Sequence, residues 1–270
     1  MSYTLIKGLL NPTLGLPDGD SIRFIPSCAD SLFRLHRQAS APRINPVNGS
    51  VQLLFEGIDA IESAAAGPCP LKATHSVLEL ANTNHGTESA PGYIFTNRLS
   101  RDGHPIGFVF AGNCNARDGV SVTLNTDDIL TSINVQQLVR GLAYPLFYDT
   151  LADNLRECMR QVSLESMHSA QGLWPSDESN DWIQWTGSVR NFLPIFPKLW
   201  RRIEAYQRDE TLFDPQQPFS NFKLYIKQQA NERVCIPSKN QFTGFVDLLD
   251  TTCDSVRISA ALHDLVFVSG

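Results

Sequence analysis

Two acidic clusters in the first quarter of the chain carry the residue types that metal-assisted chemistry uses. One is "EGIDAIES", where Asp59 and Glu62 stand three positions apart after the apolar run "VQLLF". The other is "PDGDSIRF", with Asp18 and Asp20, about forty residues earlier. Carboxylates are preferred ligands of hard cations such as calcium and magnesium. Two aspartates brought together repel unless a cation lies between them. A carboxylate beside a metal-polarised phosphodiester can take a proton from water. The bland alternative for the same residues is that Asp18 and Asp20 serve a turn while Asp59 and Glu62 cap a loop. The question the sequence poses is whether the two clusters meet.

The rest of the chain sets the frame. Its 270 residues suffice for one large domain, or a main domain and a smaller one. Hydrophobic residues make up 42% and charged residues 19%, the usual proportions of a globular protein. No apolar run reaches the eighteen or so residues a membrane span needs, and the start lacks the pattern of a secretory signal. Six scattered cysteines without zinc spacing read as free thiols in a reducing cytoplasm, so a cytoplasmic location is expected. The net charge of −6 argues against a broadly basic surface that coats nucleic acid, though not against an enzyme holding phosphate through a metal ion.

The elements that must position the clusters are mainly strands. "YTLIKGLL", "SIRFI" and "SVQLLFEGID" alternate or bury as strands do, and "GYIFTNRL" and "PIGFVFAG" flank the turn "SRDGH" as a hairpin. Residues 27–49 form a long connection with room for a short helix. "LKATHSVLELANT" places Leu71, Val77, Leu78, Leu80 and Ala81 at helical spacing. "TDDILTSINVQQLVRGLAYPLF" is predicted helical, capped by Thr126 and Asp127, and the stretch from Asp149 is a further helix ending near Gly172. The expected class is α+β, a small curled sheet or barrel capped by helices, over residues 1–176. Residues 177–270 form a C-terminal extension or subdomain.

Taken together, these landmarks resemble the thermonuclease, or staphylococcal nuclease-like, family. "DGDSI" is similar to its D-G-D turn and strand, "GIDAIE" to its G-I-D-A-P-E, and "DGHPIGFVFAG" to its Y-G-R hairpin. "QQLVRGLAYP" and "SAQGLW" are similar to its closing helical motifs. The motifs come in the family's order over about residues 3–176. The resemblance implies a five-stranded OB-like barrel with three packed helices and a site at one mouth. It implies that Asp20, Asp59 and the Ala60 carbonyl bind Ca²⁺, or another divalent ion such as Mg²⁺ or Mn²⁺, and that Glu62 is the general base. The implied activity is hydrolysis of DNA or RNA.

The sequence also departs from that pattern. The family carries two phosphate-gripping arginines. The position eight residues before Glu62 is Leu54, and the Y-G-R arginine position is His104. Leucine donates no hydrogen bond, and histidine makes no forked pair with phosphate. Losing one such donor typically costs about a hundred- to a thousandfold in rate. His104 is expected on the phosphate or leaving-group side. Arg23, Arg43, Arg98 and Arg101 are expected to be solvated surface charges. The alternative function is therefore a catalytically inactive module that binds nucleic acid or a protein partner. His75 and Glu79 read as a surface pair. The aromatic and basic run from Trp182 to Arg202 reads as a helix-like segment docking the extension on the barrel, rather than as a stacking face for single strands.

Overall fold

A computed structural model of the chain describes residues 1–37, 39–229 and 231–269. The first half runs β1 (Ser2–Leu10), β2 (Ser21–Pro26), β3 (Val51–Phe55), β4 (Ile58–Asp59), α1 (Cys69–Leu80), β5 (Ala90–Leu99), β6 (Pro105–Ala111) and β7 (Ser121–Thr123). Strands β2, β3, β6, β5 and β1 hydrogen-bond in that order, and β1 pairs back on β2, so the sheet closes into a five-stranded barrel. The β3–β6 pair is parallel and the others antiparallel, giving a mixed barrel compatible with an OB-like fold. Alternation along each strand sends Ile6, Ile22, Leu53, Ile94 and Phe108 into a shared core.

Helices α2 (Thr126–Ile129), α3 (Ile133–Val139) and α4 (Asp153–His168) follow, with the two-residue strands β8 (Tyr144–Pro145) and β9 (Phe147–Tyr148) between α3 and α4. The stretch expected as one helix from Thr126 is therefore two. Asn125, not Thr126, caps the first through a capping box, and the Ser132 hydroxyl restarts the second by accepting from the Val135 N–H. In α1, Val77 and Ala81 are buried as expected, but Leu71 faces solvent because Pro70 and Ala73 take the inner side.

The remainder comprises β10 (Ile183–Gln184), α5 (Pro197–Gln207), α6 (Phe222–Gln228), β11 (Arg233–Ile236), β12 (Gln241–Gly244), β13 (Leu249–Thr251), β14 (Ser255–Ile258) and β15 (Val266–Phe267). The aromatic run is not one uninterrupted helix, as Pro194 and Pro197 imply from the sequence. Pro194 lies outside α5, and Pro197 occupies its first turn, where a missing N–H costs nothing. Phe192, Phe196 and Trp200 are buried in a second core, which also draws in Ile61 and Tyr144 from the barrel side. Strand β15 runs parallel to β9, and its two residues face opposite ways. Val266 joins the barrel core and Phe267 the second one. All six cysteines are free thiols. No helix among the described residues is long and apolar enough to cross a membrane.

Candidate functional site

The turn before β2 and the end of β3 meet at one mouth of the barrel. The Asp18 carboxylate accepts from the Asp20 N–H (3.2 Å), which makes Asp18 a turn former. The Asp20 carbonyl accepts from the Phe55 N–H (3.0 Å), tying the turn to the end of β3. A Cβ at Gly19 would stand 2.6 Å from the Ala60 side chain and 2.7 Å from that of Ala73 on α1, so glycine is required by close approach. Gln137 of α3 clamps the same place, donating through Nε2 to the Gly19 carbonyl (2.9 Å) and the Ala73 carbonyl (3.0 Å).

These contacts bring Asp20 beside β4. Its Oδ2 accepts from the Ala60 N–H at 2.8 Å, so the contact Ala60 makes is through its amide. Asp59 pairs in register with Tyr144 of β8, and its side chain is nearly buried. Burial pushes the Asp20 carboxyl well above its usual range, and the neighbouring Asp18 and Asp59 push the same way, against the Ala60 N–H.

The charge facing this cluster comes from α5. Arg201 forks onto Asp59, with one guanidinium nitrogen 2.7 Å from Oδ2 and the other 3.1 Å from Oδ1. The second nitrogen also donates to Glu62 Oε1 at 2.6 Å. Burial opposes the charge on Arg201, but Asp59 and Glu62 outweigh it and hold the guanidinium firmly protonated. Burial raises the Glu62 carboxyl, with Arg201 pulling it back in part.

A cavity of about 420 Å³ opens here, lined among others by Asp20, Leu54, Asp59, Arg98, Thr150 and Arg201. Leu54 thus lines the cavity from the position where the family resemblance implies a clamp. Ile106 is its register partner on β6 and Arg98 lies beyond on β5, so the three form a row across adjacent strands. His104 is not among the lining residues. It lies among Arg43, Asp102 and Arg23. Burial and Arg43 lower its pKa, Asp102 opposes them, and Arg23 lowers it further, leaving the ring neutral at pH 7.

Arg98 corrects the expectation of a solvated surface charge. It is buried and bound to the equally buried Glu56 at 2.6 and 3.0 Å. A bulge between Thr96 and Arg98 shifts the register and turns the side chain inward. Nothing local in the sequence marks Arg201 as a site residue, because 142 positions separate it from Asp59. One signal is present: Asp59 and Glu62 have no lysine or arginine between Arg43 and Lys72 and need a counter-charge, and the run around α5 holds Lys198, Arg201 and Arg202.

As arranged, these residues do not fit a calcium ion. Both oxygens of Asp59 are engaged by a guanidinium and Oδ2 of Asp20 by an amide. Among the described residues no group of three or more histidine, cysteine or acidic side chains is disposed to hold a metal. Compared with known proteins, the chain matches no family model and no curated protein.

Proposed function

We propose that the chain is a thermonuclease-like barrel serving as a non-catalytic binding module. The ordered motifs and the closed mixed barrel support the kinship. One observation carries the functional reading: both guanidinium groups that line the cavity are spent on the chain's own carboxylates, Arg98 on Glu56 and Arg201 on Asp59 and Glu62. Phosphoryl transfer rests on uncommitted positive charge aimed at the phosphate oxygens. Leu54 supplies none, and His104 is neutral and outside the cavity. The net charge of −6 favours a protein partner over DNA or RNA.

A second reading, metal-dependent hydrolysis of DNA or RNA with Glu62 as base, is favoured by the convergence of Asp20, Asp59 and Glu62 at one mouth. It requires Arg201 to leave. One experiment separates the two. Purified protein is incubated with labelled single- and double-stranded nucleic acid in Ca²⁺, Mg²⁺, Mn²⁺ or chelator, beside Glu62→Gln. The expected outcome is no metal-dependent cleavage and no difference between the two proteins. Cleavage that needs metal and disappears in Glu62→Gln would install the second reading.

A further inference from the structure

We propose that Arg201 is a resident counter-cation. Through it the C-terminal segment supplies the positive charge that the acidic mouth of the barrel requires, and so closes that mouth to divalent metal. The thermonuclease-like reading is needed only to say which ion the arginine stands in for. The charge compensation itself rests on the geometry.

Three observations carry it. First, the contact is a fork, with two nitrogens on two oxygens of one carboxylate and a third bond to Glu62, the geometry in which arginine binds carboxylates most strongly. Second, Asp59 is nearly buried, and a buried carboxylate without a partner is strongly destabilising, so some cation must face it. Third, the arm that delivers Arg201 is fixed. Lys198 donates to Glu232 (2.7 Å) and to the Tyr148 hydroxyl (3.1 Å), and Arg202 pairs with Glu232 as well. Trp200 donates from its ring to the Val189 carbonyl at 3.2 Å, and Ile203 and Tyr206 are buried in the second core. Arg201 is thus held from both sides of its own helix, unlike a side chain on a mobile flap. It is also 43% exposed, so a small ion could reach the carboxylates if the guanidinium were gone.

The test is thermal unfolding of the full chain in chelator and in millimolar CaCl₂. Wild type is expected to unfold at the same temperature in both. Arg201→Gln should unfold about 5 °C or more lower in chelator and recover part of that loss in CaCl₂. Arg201→Lys should fall between and stay insensitive to calcium. Arg208→Gln removes the same charge from an exposed pair with Glu204, and should show neither effect. A wild type stabilised by calcium would overturn the proposal, as would a folded Arg201→Gln with unchanged melting and no calcium response. If Arg201→Gln does not fold in either buffer, Arg201→Gln with Asp59→Asn decides. Recovery of folding shows that charge compensation is the role, and failure shows that the side chain serves packing instead. No nucleic acid enters these measurements, so the cleavage assay and this one fail independently.

Discussion

At the scale of single residues, the molecule is organised by buried charges that find partners within the chain. Glu56 and Arg98 are both almost fully buried and face each other inside the barrel mouth. Removing one partner leaves an uncompensated charge, which typically costs about 3 kcal/mol or more, whereas replacing both with apolar groups can be neutral. Arg98→Met and Glu56→Met are therefore each expected to lower the urea midpoint markedly, and the double variant to lie closer to wild type than either. An additive double variant would refute the pairing. Asp59 and Glu62 were legible in the sequence as candidates, because acidic residues at the end of an apolar strand need a reason, whereas nothing singled out Glu56. The arginine partners were not legible either. Arg98 depends on a bulge that no residue pattern marks, and Arg201 on packing between segments far apart in the chain.

At the scale of elements, α3 is the piece that fixes the barrel. Asn134 gives its amide hydrogens to the carbonyls of Glu56 (2.9 Å) and Gly107 (3.0 Å), and accepts from the Val109 N–H (2.9 Å). It thereby stitches the parallel β3–β6 seam, where a curved sheet leaves backbone groups without partners. Asn134→Ala strands the Glu56 carbonyl and the Val109 N–H, while the Gly107 carbonyl keeps the Glu56 N–H at 2.9 Å, and is expected to cost about 2 kcal/mol or more in equilibrium denaturation. A change within a few tenths of a kcal/mol would show that the seam does not depend on it. The two glycine-bearing motifs that close the helical region make sense at this scale too. Gly141 ends α3 with positive φ (60°), Ala170 (φ 52°) ends α4, and Gly172 (φ 59°) follows two residues on; Gly141 and Gly172 lie against each other's neighbourhood so closely that a Cβ would strike backbone. The Leu173 N–H donates across this contact to the Gly141 carbonyl at 2.8 Å. Strands and helices were readable because alternation and helical spacing are local. The split between α2 and α3 was obscured because Leu130 and Thr131 interrupt no apolar period. The interruption comes from the Ser132 cap.

At the scale of the whole molecule, two cores share one seam. Tyr144 pairs with Asp59 through β4 and β8, gives its hydroxyl to Asp177 (2.7 Å), and packs edge-on against Trp174 and Phe196. Glu232 sits on the same seam between Lys198 and Arg202. Burial pushes its carboxyl up, but the two cations outweigh burial and the net shift is downward from 4.5. A carboxyl lowered by folding contributes stability that is present above about pH 4.5 and is lost as pH falls through the folded value. Glu232→Gln is therefore expected to be roughly 1–2 kcal/mol less stable than wild type at neutral pH, with the gap narrowing as the solution is acidified. Urea midpoints measured across that range check it, and a constant gap would mean that the ion pairs contribute nothing.

The four tryptophans, Trp174, Trp182, Trp185 and Trp200, all fall in one short stretch of sequence, and none lies in a barrel strand. Indole emission from this chain therefore speaks for only one of its two cores. Events in the barrel reach that signal through the contacts that cross the seam, those of Ile61, Tyr144 and Arg201 among them, and an observer who follows fluorescence alone is watching the second core, with the barrel seen by reflection.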